Sequence, residues 1–248
     1  MFQGQSIAVV MPAYNEAEGI SKVVQSFRAI PEIDEVIVAD NDSTDRTKEL
    51  ATEAGARVVP ERQRGYGFAC RRALAASTSS ITIITESDDT FRATDIYKFL
   101  AYADEFDVVF GTRTSKSCIW SGANMGWFLR YGNWAVSKLL EYVHNGPCLT
   151  DVGCTFRMFK RDALQKLLPL LTVGDSRLSP EIMIMAIRLG LTCVEIPVHY
   201  GSRLGDSKIT GSLRKAFFLG LRMMWLIVRY RFRTIRASAS VGQPGDTL

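Results

Sequence analysis

The sequence predicts an α/β protein with a mainly parallel β-sheet flanked by helices. Short runs of β-branched and apolar residues alternate with segments of helical composition in the first half of the chain, which is the pattern of a parallel sheet. Several of the strand-like runs end directly in loops that carry acidic residues. Ligands of open parallel sheets bind outside the carboxyl ends of the strands, so these loops are the candidate site.

The predicted elements alternate in chain order. The runs dominated by β-branched and apolar residues are predicted as strands: residues 7–11, 35–39, 55–59, 81–85, 107–110 and 196–200. The segments between the first strands are predicted as helices: residues 17–30, 44–54 and 66–76. Asp42 and Ser43 are expected to cap the helix over residues 44–54.

Length and composition favour one large domain. The 248 residues are 47% hydrophobic, which is enough for a sizeable core. There is no internal repeat or low-complexity linker, so we predict one domain over residues 1–236 and a disordered polar tail over residues 237–248. The net charge of +4 is too small to indicate a nucleic-acid partner.

The cysteines and the N-terminus indicate a cytoplasmic protein. The 5 cysteines are dispersed without a C-x-x-C pair, which is typical of reduced thiols and argues against a zinc site. The chain enters a predicted strand at residue 7 and shows no signal peptide. Nothing in the composition indicates an oligomeric state.

The most informative cluster follows the strand predicted at residues 81–85. Glu86, Asp88 and Asp89 stand at its end, where crowded carboxylates repel one another unless a cation neutralises them. Oxygen ligands at this density suit Mg²⁺ or Mn²⁺, and Mg²⁺ usually completes its shell with waters and substrate phosphates. The alternative is a solvated acidic turn. Acidic loops after two further strands favour a site for a nucleotide and its metal.

The order and spacing of the motifs resemble a known family. PAYNE at residues 12–16, DNDSTD at 40–45 and ESD at 86–88 resemble the motif series of family 2 inverting glycosyltransferases, which have the GT-A fold and use nucleotide-diphosphate sugars. Later segments are similar to the polyprenyl- and dolichol-phosphate sugar synthases: GTR at 111–113, TDVGCTFR at 150–157 and RLGDSK at 203–208. The resemblance runs from about residue 6 to residue 231.

Two features depart from that family. It usually has Asp-x-Asp at the metal strand, whereas this chain has Glu86, Ser87 and Asp88 followed by Asp89, which leaves open which carboxylate binds the metal. The polyprenyl synthases often carry paired transmembrane helices after the catalytic domain, and this sequence shows no such pair.

The resemblance implies that the first loops bind the nucleotide sugar. Pro12, Ala13, Tyr14 and Glu16 would hold the base and ribose, and Asp40 would contact the base. The alternative roles are packing for Tyr14 and, for Glu16, an acid favoured by the dipole of the following helix.

Three further positions complete the implied donor site. Arg64 would reach the diphosphate or the base, beside glycines that permit close backbone approach or make a turn. Glu86 and Ser87 would contact the ribose or a metal-bound water. Asp88 matches the family's second acid and is the strongest candidate for the metal ligand, while Asp89 is left between metal and solvent.

The remaining candidates concern the acceptor and the reaction. Arg113 would clamp a phosphate of the acceptor or donor bidentately. Asp151 is expected near the sugar, and Glu181 is expected to face the reacting centre or to serve as an acid at a helix start, with Pro180 in the first turn. Arg203, Ser207 and Lys208 lie in a polar loop. Such a loop can close over the diphosphate and neutralise the leaving group.

Two apolar segments bear on a membrane partner. Residues 119–143 carry tryptophans at helical spacing, typical of a core helix or of a helix at a membrane interface. Residues 213–233 place aromatic and aliphatic runs among arginines, which favours an amphipathic helix on anionic lipid over one that covers the sheet. The protein is therefore expected in the cytoplasm, peripheral on the inner face of the membrane.

The resemblance and these segments predict inverting, metal-dependent transfer of a sugar from a UDP- or GDP-linked donor to a polyprenyl-phosphate-type acceptor. A phosphate acceptor is already ionised at neutral pH, whereas a hydroxyl acceptor needs a base, which Asp151 or Glu181 would supply. The first alternative is the same fold acting on a hydroxyl of a small molecule or polysaccharide. The second is a nucleotide-binding protein without activity, supported by Glu86 in place of aspartate.

Overall fold

A computed structural model describes residues 1–119, 127–202 and 213–234 of the chain. The strands in these residues are β1 (Ile7–Ala13), β2 (Glu35–Asp40), β3 (Arg57–Pro60), β4 (Ile81–Ile84), β5 (Val108–Thr112), β6 (Arg157–Lys160) and β7 (Cys193–Pro197). The α-helices are α1 (Ile20–Arg28), α2 (Thr47–Glu53), α3 (Tyr66–Ala76), α4 (Ile96–Leu100), α5 (Trp127–His144), α6 (Arg161–Leu167), α7 (Leu178–Arg188) and α8 (Leu213–Arg231).

The strands form one sheet in the order β3-β2-β1-β4-β6-β5-β7. Strands β3, β2, β1 and β4 run parallel, and β5 is parallel to β7. Strand β6 lies antiparallel between β4 and β5. The predicted mainly parallel α/β sheet is confirmed, and the carboxyl ends of β1, β2 and β4 meet at one edge.

Helices cover both faces of the sheet, and a separate apolar core lies on each. One core contains side chains of α3, α5, α6, α7 and α8, and the other contains those of α1, α2 and α4. Neighbouring residues of β1 alternate between the cores: Val9 packs on the side of α1, and Val10 on the side of α3. Burial on both faces explains why β1 reads as a continuous apolar run.

Helix α2 begins later than predicted because a different residue closes the preceding loop. The carboxylate of Asp45 accepts the backbone N–H of Thr47 at 3.0 Å, and α2 starts there. The capping prediction for Asp42 and Ser43 is wrong. Asp42 pairs with Arg64 at 3.2 Å, and the Ser43 hydroxyl accepts the N–H of Asn15 at 3.1 Å. Both residues thus tie site loops together.

An arginine lies wholly inside the protein at the start of β6. Arg157 is 1% exposed and donates to the carbonyls of Cys154 at 2.8 Å, Ser179 at 2.8 Å and Val152 at 3.3 Å. Its guanidinium also lies over the ring of Phe110 at 5.2 Å. A buried cation needs such partners, and here they fix the loop before β6 against the start of α7.

Candidate functional site

A cavity of ≈ 880 Å³ opens at the carboxyl ends of β1, β2 and β4. One half, the strand-end half, is polar and lies against the loops after these strands. The other half, the helix half, is apolar and lies between α5 and α8. The strand-end half is lined by Pro12, Ala13, Tyr14, Glu16, Asn41, Arg64, Tyr66, Glu86, Ser87, Asp88 and Arg113. The structure therefore brings together most of the residues predicted for the donor site.

Tyr14 and Arg64 meet across the mouth of the strand-end half. The Arg64 guanidinium donates to the Tyr14 hydroxyl at 2.6 Å and lies over its ring at 4.8 Å from the centroid. The same guanidinium pairs with Asp42. Arg64 is exposed, so its charge faces the open side of the cavity.

Asp40 lies beside the cavity wall and is 8% exposed. Its Oδ2 accepts the N–H of Ser43 at 3.4 Å, while its buried Oδ1 has no hydrogen-bond partner among the described residues. A buried carboxylate oxygen without a donor is costly, although Asp40 itself does not line the cavity. The next residue, Asn41, lines the cavity and was not predicted.

Asn41 organises the loop that carries Arg64. Its side-chain nitrogen donates to the carbonyls of Glu61 at 3.0 Å and Gln63 at 2.7 Å, and its oxygen accepts the N–H of Gly65 at 2.9 Å. A polar residue after a strand was the only sequence signal for this role, because the loop it holds is distant in sequence.

Asp88 and Glu86 form the acidic end of the strand-end half. Asp88 is 6% exposed, and its Oδ1 accepts the hydroxyl of Thr90 at 2.6 Å. Glu86 accepts the hydroxyl of Tyr66 at 2.6 Å. Burial and the charge of Asp88 raise the pKa of Glu86. A cation beside the two carboxylates would relieve this repulsion.

The donor set fits a hard divalent cation that shares its shell with a substrate. Within residues 1–119, 127–202 and 213–234, no group of three or more His, Cys, Asp or Glu side chains is arranged to hold a metal. Mg²⁺ commonly takes one or two carboxylates and fills its remaining positions with waters and phosphate oxygens. Asp88 and Glu86 are the two carboxylates of this cluster that line the cavity.

Asp89 does not face this site. Its backbone has φ = 63°, which turns the side chain out of the cavity, and its carboxylate pairs with Lys22 on α1 at 2.6 Å. Asp89, which was left open between metal and solvent, forms this ion pair and does not line the cavity. Asp89 thus matches the solvated-turn alternative, whereas Asp88 and Glu86 line the cavity.

Tyr66 and Thr155, which were not predicted, hold Glu86 in place. The Tyr66 hydroxyl lies 2.6 Å from both Glu86 and the Thr155 hydroxyl. Burial, the Cys70 thiol and Glu86 raise the pKa of Tyr66 well above its usual value, so the phenol remains a donor. Thr155 lies in the loop just before the antiparallel strand β6, and no local sequence pattern connects Thr155 with Glu86.

Arg113 lines the cavity and rests on Asp151. Its Nε and Nη2 donate to the two oxygens of Asp151 at 2.8 and 3.0 Å, and its guanidinium lies over the ring of Tyr200 at 5.1 Å. Burial lowers the pKa of Arg113, but the charge of Asp151 outweighs burial and raises it well above the usual value. Arg113 is therefore a fixed cation at the cavity wall.

Asp151 is not placed as a base. It is 0% exposed, and besides Arg113 it accepts the N–H of Gly153 at 3.0 Å. Burial opposes its charge, but Arg113 lowers the pKa of Asp151. The expectation that Asp151 lies at the sugar is corrected, because its oxygens are taken up in orienting Arg113. Glu195, which was not predicted, accepts the N–H of Asp151 at 3.0 Å.

Glu181 also does not face the cavity. It is 0% exposed and accepts the N–H groups of Thr172 and Val173 at 3.0 and 2.9 Å and the Tyr230 hydroxyl at 2.8 Å. The expectation that Glu181 faces the reacting centre is corrected; it matches the alternative of a structural acid in the first turn of α7. Arg203, Ser207 and Lys208 lie outside the described residues.

The helix half of the cavity is built by α5 and α8, which pack against each other. It is lined by Leu129, Ala135 and Val136 of α5 and by Ala216, Phe217, Leu219, Leu221, Met223 and Met224 of α8. His144 of α5 is 9% exposed, and its Nε2 lies 3.0 Å from the carbonyl of Ile227 on α8. The apolar cavity wall is thus continuous with the core of the protein.

The outer side of the same two helices is aromatic and cationic. The exposed large side chains of this helix face are Tyr131, Trp134 and Tyr142 of α5 and Phe218, Trp225 and Val228 of α8, while Phe217 and Leu221 are exposed but line the cavity. Four exposed arginines stand among them on α8: Arg214, Arg222, Arg229 and Arg231. Among the described residues, no helix is long and apolar enough to cross a membrane.

A parallel sheet with a polar cavity at its strand ends, acids on the strand-end loops and a cationic wall defines the class of GT-A nucleotide-sugar transferases. The comparisons with known proteins agree. The model of "Glycosyl transferase family 2" matches residues 8–168, and this chain belongs to that family of glycosyltransferases.

Relatives and solved structures support the assignment. A dolichyl-phosphate hexose transferase of Haloferax volcanii is 31% identical over 82% of this chain and 86% of its own length. An uncharacterised glycosyltransferase of Mycobacterium bovis is 33% identical over 91% of this chain and 99% of its own. The Mycobacterium tuberculosis glucosyl-3-phosphoglycerate synthase, solved with Mn²⁺ and UDP, superimposes with a TM-score of 0.68 at 22% identity, covering 92% of this chain and 80% of that one. This last likeness shows the shared GT-A fold.

Proposed function

We propose that this glycosyltransferase moves a sugar from a nucleotide diphosphate to a polyprenyl-phosphate-type lipid, with inversion and with Mg²⁺ or Mn²⁺. The observation that carries the proposal is the single cavity with two chemically different halves. Its strand-end half offers acids and cations to a nucleotide diphosphate, and its helix half offers an apolar wall to a lipid chain.

The strand-end half has the groups that a nucleotide needs. The unpaired Oδ1 of Asp40 can accept an N–H from a base, and both uracil and guanine carry one. Tyr14 offers a ring face, and Arg64 a cation for the diphosphate. Binding of UDP or Mn²⁺ by the structural neighbours supports the same ligands here. The donor is UDP- or GDP-linked.

Asp88 is the proposed direct ligand of the metal, and Glu86 is proposed to support Asp88 without binding the metal directly. A bound divalent cation supplies positive charge to the diphosphate as it leaves. The chain's own share is to hold Asp88 rigidly through Thr90 and Glu86 through Tyr66. Arg203 and Lys208 are proposed to add positive charge to the leaving group, with Ser207 on the phosphate.

The acceptor is assigned from the placement of acids and cations. Neither Asp151 nor Glu181, the two carboxylates expected to act as base, lines the cavity. A hydroxyl acceptor needs a base, whereas a phosphate is ionised at neutral pH and needs a cation to hold it. Arg113 is such a cation, fixed at the cavity wall. The dolichyl-phosphate hexose transferase among the relatives supports the same acceptor class.

The helix face is proposed to rest on an anionic membrane. Exposed aromatic side chains with arginines and no acid on α8 suit an interfacial helix on such a surface. A peripheral position on the cytoplasmic face would bring the lipid chain to the helix half of the cavity and its phosphate towards Arg113.

The test is a transfer assay with a panel of UDP- and GDP-sugars and Mn²⁺. Polyprenyl phosphate in anionic vesicles is compared with the same vesicles carrying polyprenol, and with soluble sugars. We expect product only with the phosphate, because only the phosphate is both ionised and complementary to Arg113. Product with polyprenol or with soluble hydroxyl acceptors, and none with the phosphate, would overturn the acceptor assignment.

A further inference from the structure

Helix α8 and the strand-end half of the cavity are joined by one short segment. Residues 172–176 precede α7 in the chain. In space they reach from α8, which Thr172 contacts, to the start of α3, which Gly174 contacts, and Ser176 lines the cavity. Glu181 of α7 lies against the Thr172 end of this segment, and its carboxylate is wholly buried. The nucleotide chemistry proposed above does not use Glu181, so its role requires another explanation.

Glu181 ties this segment to α8. Its Oε2 accepts the N–H of Val173 at 2.9 Å, and its Oε1 accepts the N–H and hydroxyl of Thr172 at 3.0 and 2.8 Å. The same Oε1 accepts the hydroxyl of Tyr230, on α8, at 2.8 Å. Arg233 adds a charge at 3.6 Å. A buried carboxylate with this many donors holds both partners in one geometry.

The C-terminal end of α8 is fixed from a second side. Arg188, at the end of α7, donates to the carbonyls of Tyr230 and Arg233, the latter at 2.5 Å. The Tyr230 side chain is 6% exposed. Tyr230 thus moves with α7 and Glu181, whereas the N-terminal half of α8 forms the wall of the helix half.

The other end of the segment packs directly on the start of α3, where the Phe68 ring also lies against Gly174. The carbonyl of Gly174 accepts the N–H of Gly67 at 2.9 Å. A Cβ on Gly67 would lie 2.6 Å from the carbonyl of Val173, and a Cβ on Gly65 would lie 2.5 Å from that of Gly174. Backbone packed this closely on backbone couples the position of the segment to that of the start of α3.

The start of α3 carries donor-site groups on both sides of Gly65. Arg64 contacts Tyr14, and Tyr66 holds Glu86. We propose that Glu181 and Tyr230 are positioning residues for the donor site, which set the geometry of Arg64 and Tyr66 through Val173 and Gly174. This rests on the proposed function, because the donor site is part of it. It also means that nucleotide affinity depends on how α8 is seated.

The test is calorimetry of UDP and GDP with Mn²⁺, without acceptor, on Tyr230→Phe. This change removes the hydroxyl that reaches Glu181 and leaves the buried ring. We expect Kd to rise roughly threefold or more, in proportion to one lost hydrogen bond. Glu181→Gln should raise Kd further, since it places an amide against backbone donors. Both are measured well below the melting temperature, so that only folded protein is titrated.

Two controls separate positioning from plain loss of stability. Tyr97→Phe removes a hydroxyl that donates to Glu32 at 2.8 Å on the surface, and Ile182→Val removes a methyl group from the α7 core beside Glu181. Both should bind nucleotide as the wild type does. The inference is overturned if Tyr230→Phe binds like the wild type, or if Ile182→Val weakens binding as much. Failure of the wild type to bind UDP or GDP overturns the proposed function itself, and this inference with it.

Discussion

The two halves of the cavity are held together by different forces. In the strand-end half nearly every functional side chain has a fixed polar partner, as Asp88 has Thr90 and Arg113 has Asp151. The helix half has apolar side chains on its inner wall and exposed aromatic ones on its outer side. Directional bonds fix charges to within fractions of an ångström, while apolar contacts tolerate sliding. The polar strand-end half is thus the more rigid one, and the proposed lipid acceptor would lie against the more adaptable helix half.

The sharpest test of the rigid half compares two neighbouring acids. We expect Asp88→Asn to lose activity by roughly a hundredfold or more, since one charge-stabilising group is typically worth that much. Asp89→Asn, next to it, loses only an ion pair with Lys22 and should stay within about threefold. Activity and Mn²⁺-dependent UDP binding are measured for both. Equal losses in the two variants would show that the turn as a whole, and not Asp88, is required.

A second comparison concerns the cationic wall. Arg113→Lys keeps the charge but breaks the two-pronged pair with Asp151, and we expect roughly tenfold or more lost in kcat/KM for the phosphate acceptor. Arg57→Lys breaks a similar pair with Glu35 far from the cavity and should have no such effect. The KM and kcat for the acceptor are measured for both variants. An unchanged acceptor KM and kcat in Arg113→Lys would remove Arg113 from the phosphate site.

The adaptable half is tested by flotation with vesicles. Trp225 is 57% exposed, and Phe218 is 52% exposed, so serine at either position should leave the fold intact and reduce salt-resistant binding to anionic vesicles. Leu226, next to Trp225, is 3% exposed, and Leu226→Ser should instead lower the melting temperature. Each arginine near the lipid contributes about 1 kcal/mol, which salt should weaken. A wild type that never floats would refute the membrane face.

The smallest expected effect lies at the contact of the two helices. Burial lowers the pKa of His144; the hydrogen bond with Ile227 opposes this, and Arg188 and Arg231 lower it further. The unfolded chain therefore binds the proton more readily than the folded one, since the pKa of a free histidine is about 6.5. The contribution to stability is complete above that pH and is lost as the pH falls through the lower folded-state pKa.

Denaturation in urea at several pH values between roughly 5 and 8 measures this effect. His144→Gln should flatten the stability profile on its acid side. The chain has 2 histidines, and His199→Gln serves as the matched control. If the two variants change the stability profile equally, the loss of stability at acid pH does not arise from His144 at the α5–α8 contact.

The strands could be predicted from the sequence more accurately than the groups that each polar side chain contacts. Burial of β1 on both faces leaves a continuous apolar run, and the acids after β4 mark the strand-end half. The antiparallel position of β6 has no such local signal, because pairing depends on distant residues. The roles of Asp151 and Glu181 were misjudged for the same reason. Whether an acid faces a cavity or a buried guanidinium is decided by tertiary packing.

The antiparallel pairing of β4 with β6 also has a consequence for how the chain folds. Strands β3, β2, β1 and β4 come from one continuous stretch of sequence, and β6, β5 and β7 come from a later one. The two sets meet where β4 pairs with β6, from Ile81 opposite Lys160 to Ile84 opposite Arg157. Until the later stretch has been synthesised, β4 is an open apolar edge that can recruit another chain. The contact between Tyr66 and Thr155 spans this seam, so the polar half of the cavity is complete only once the two sets have paired.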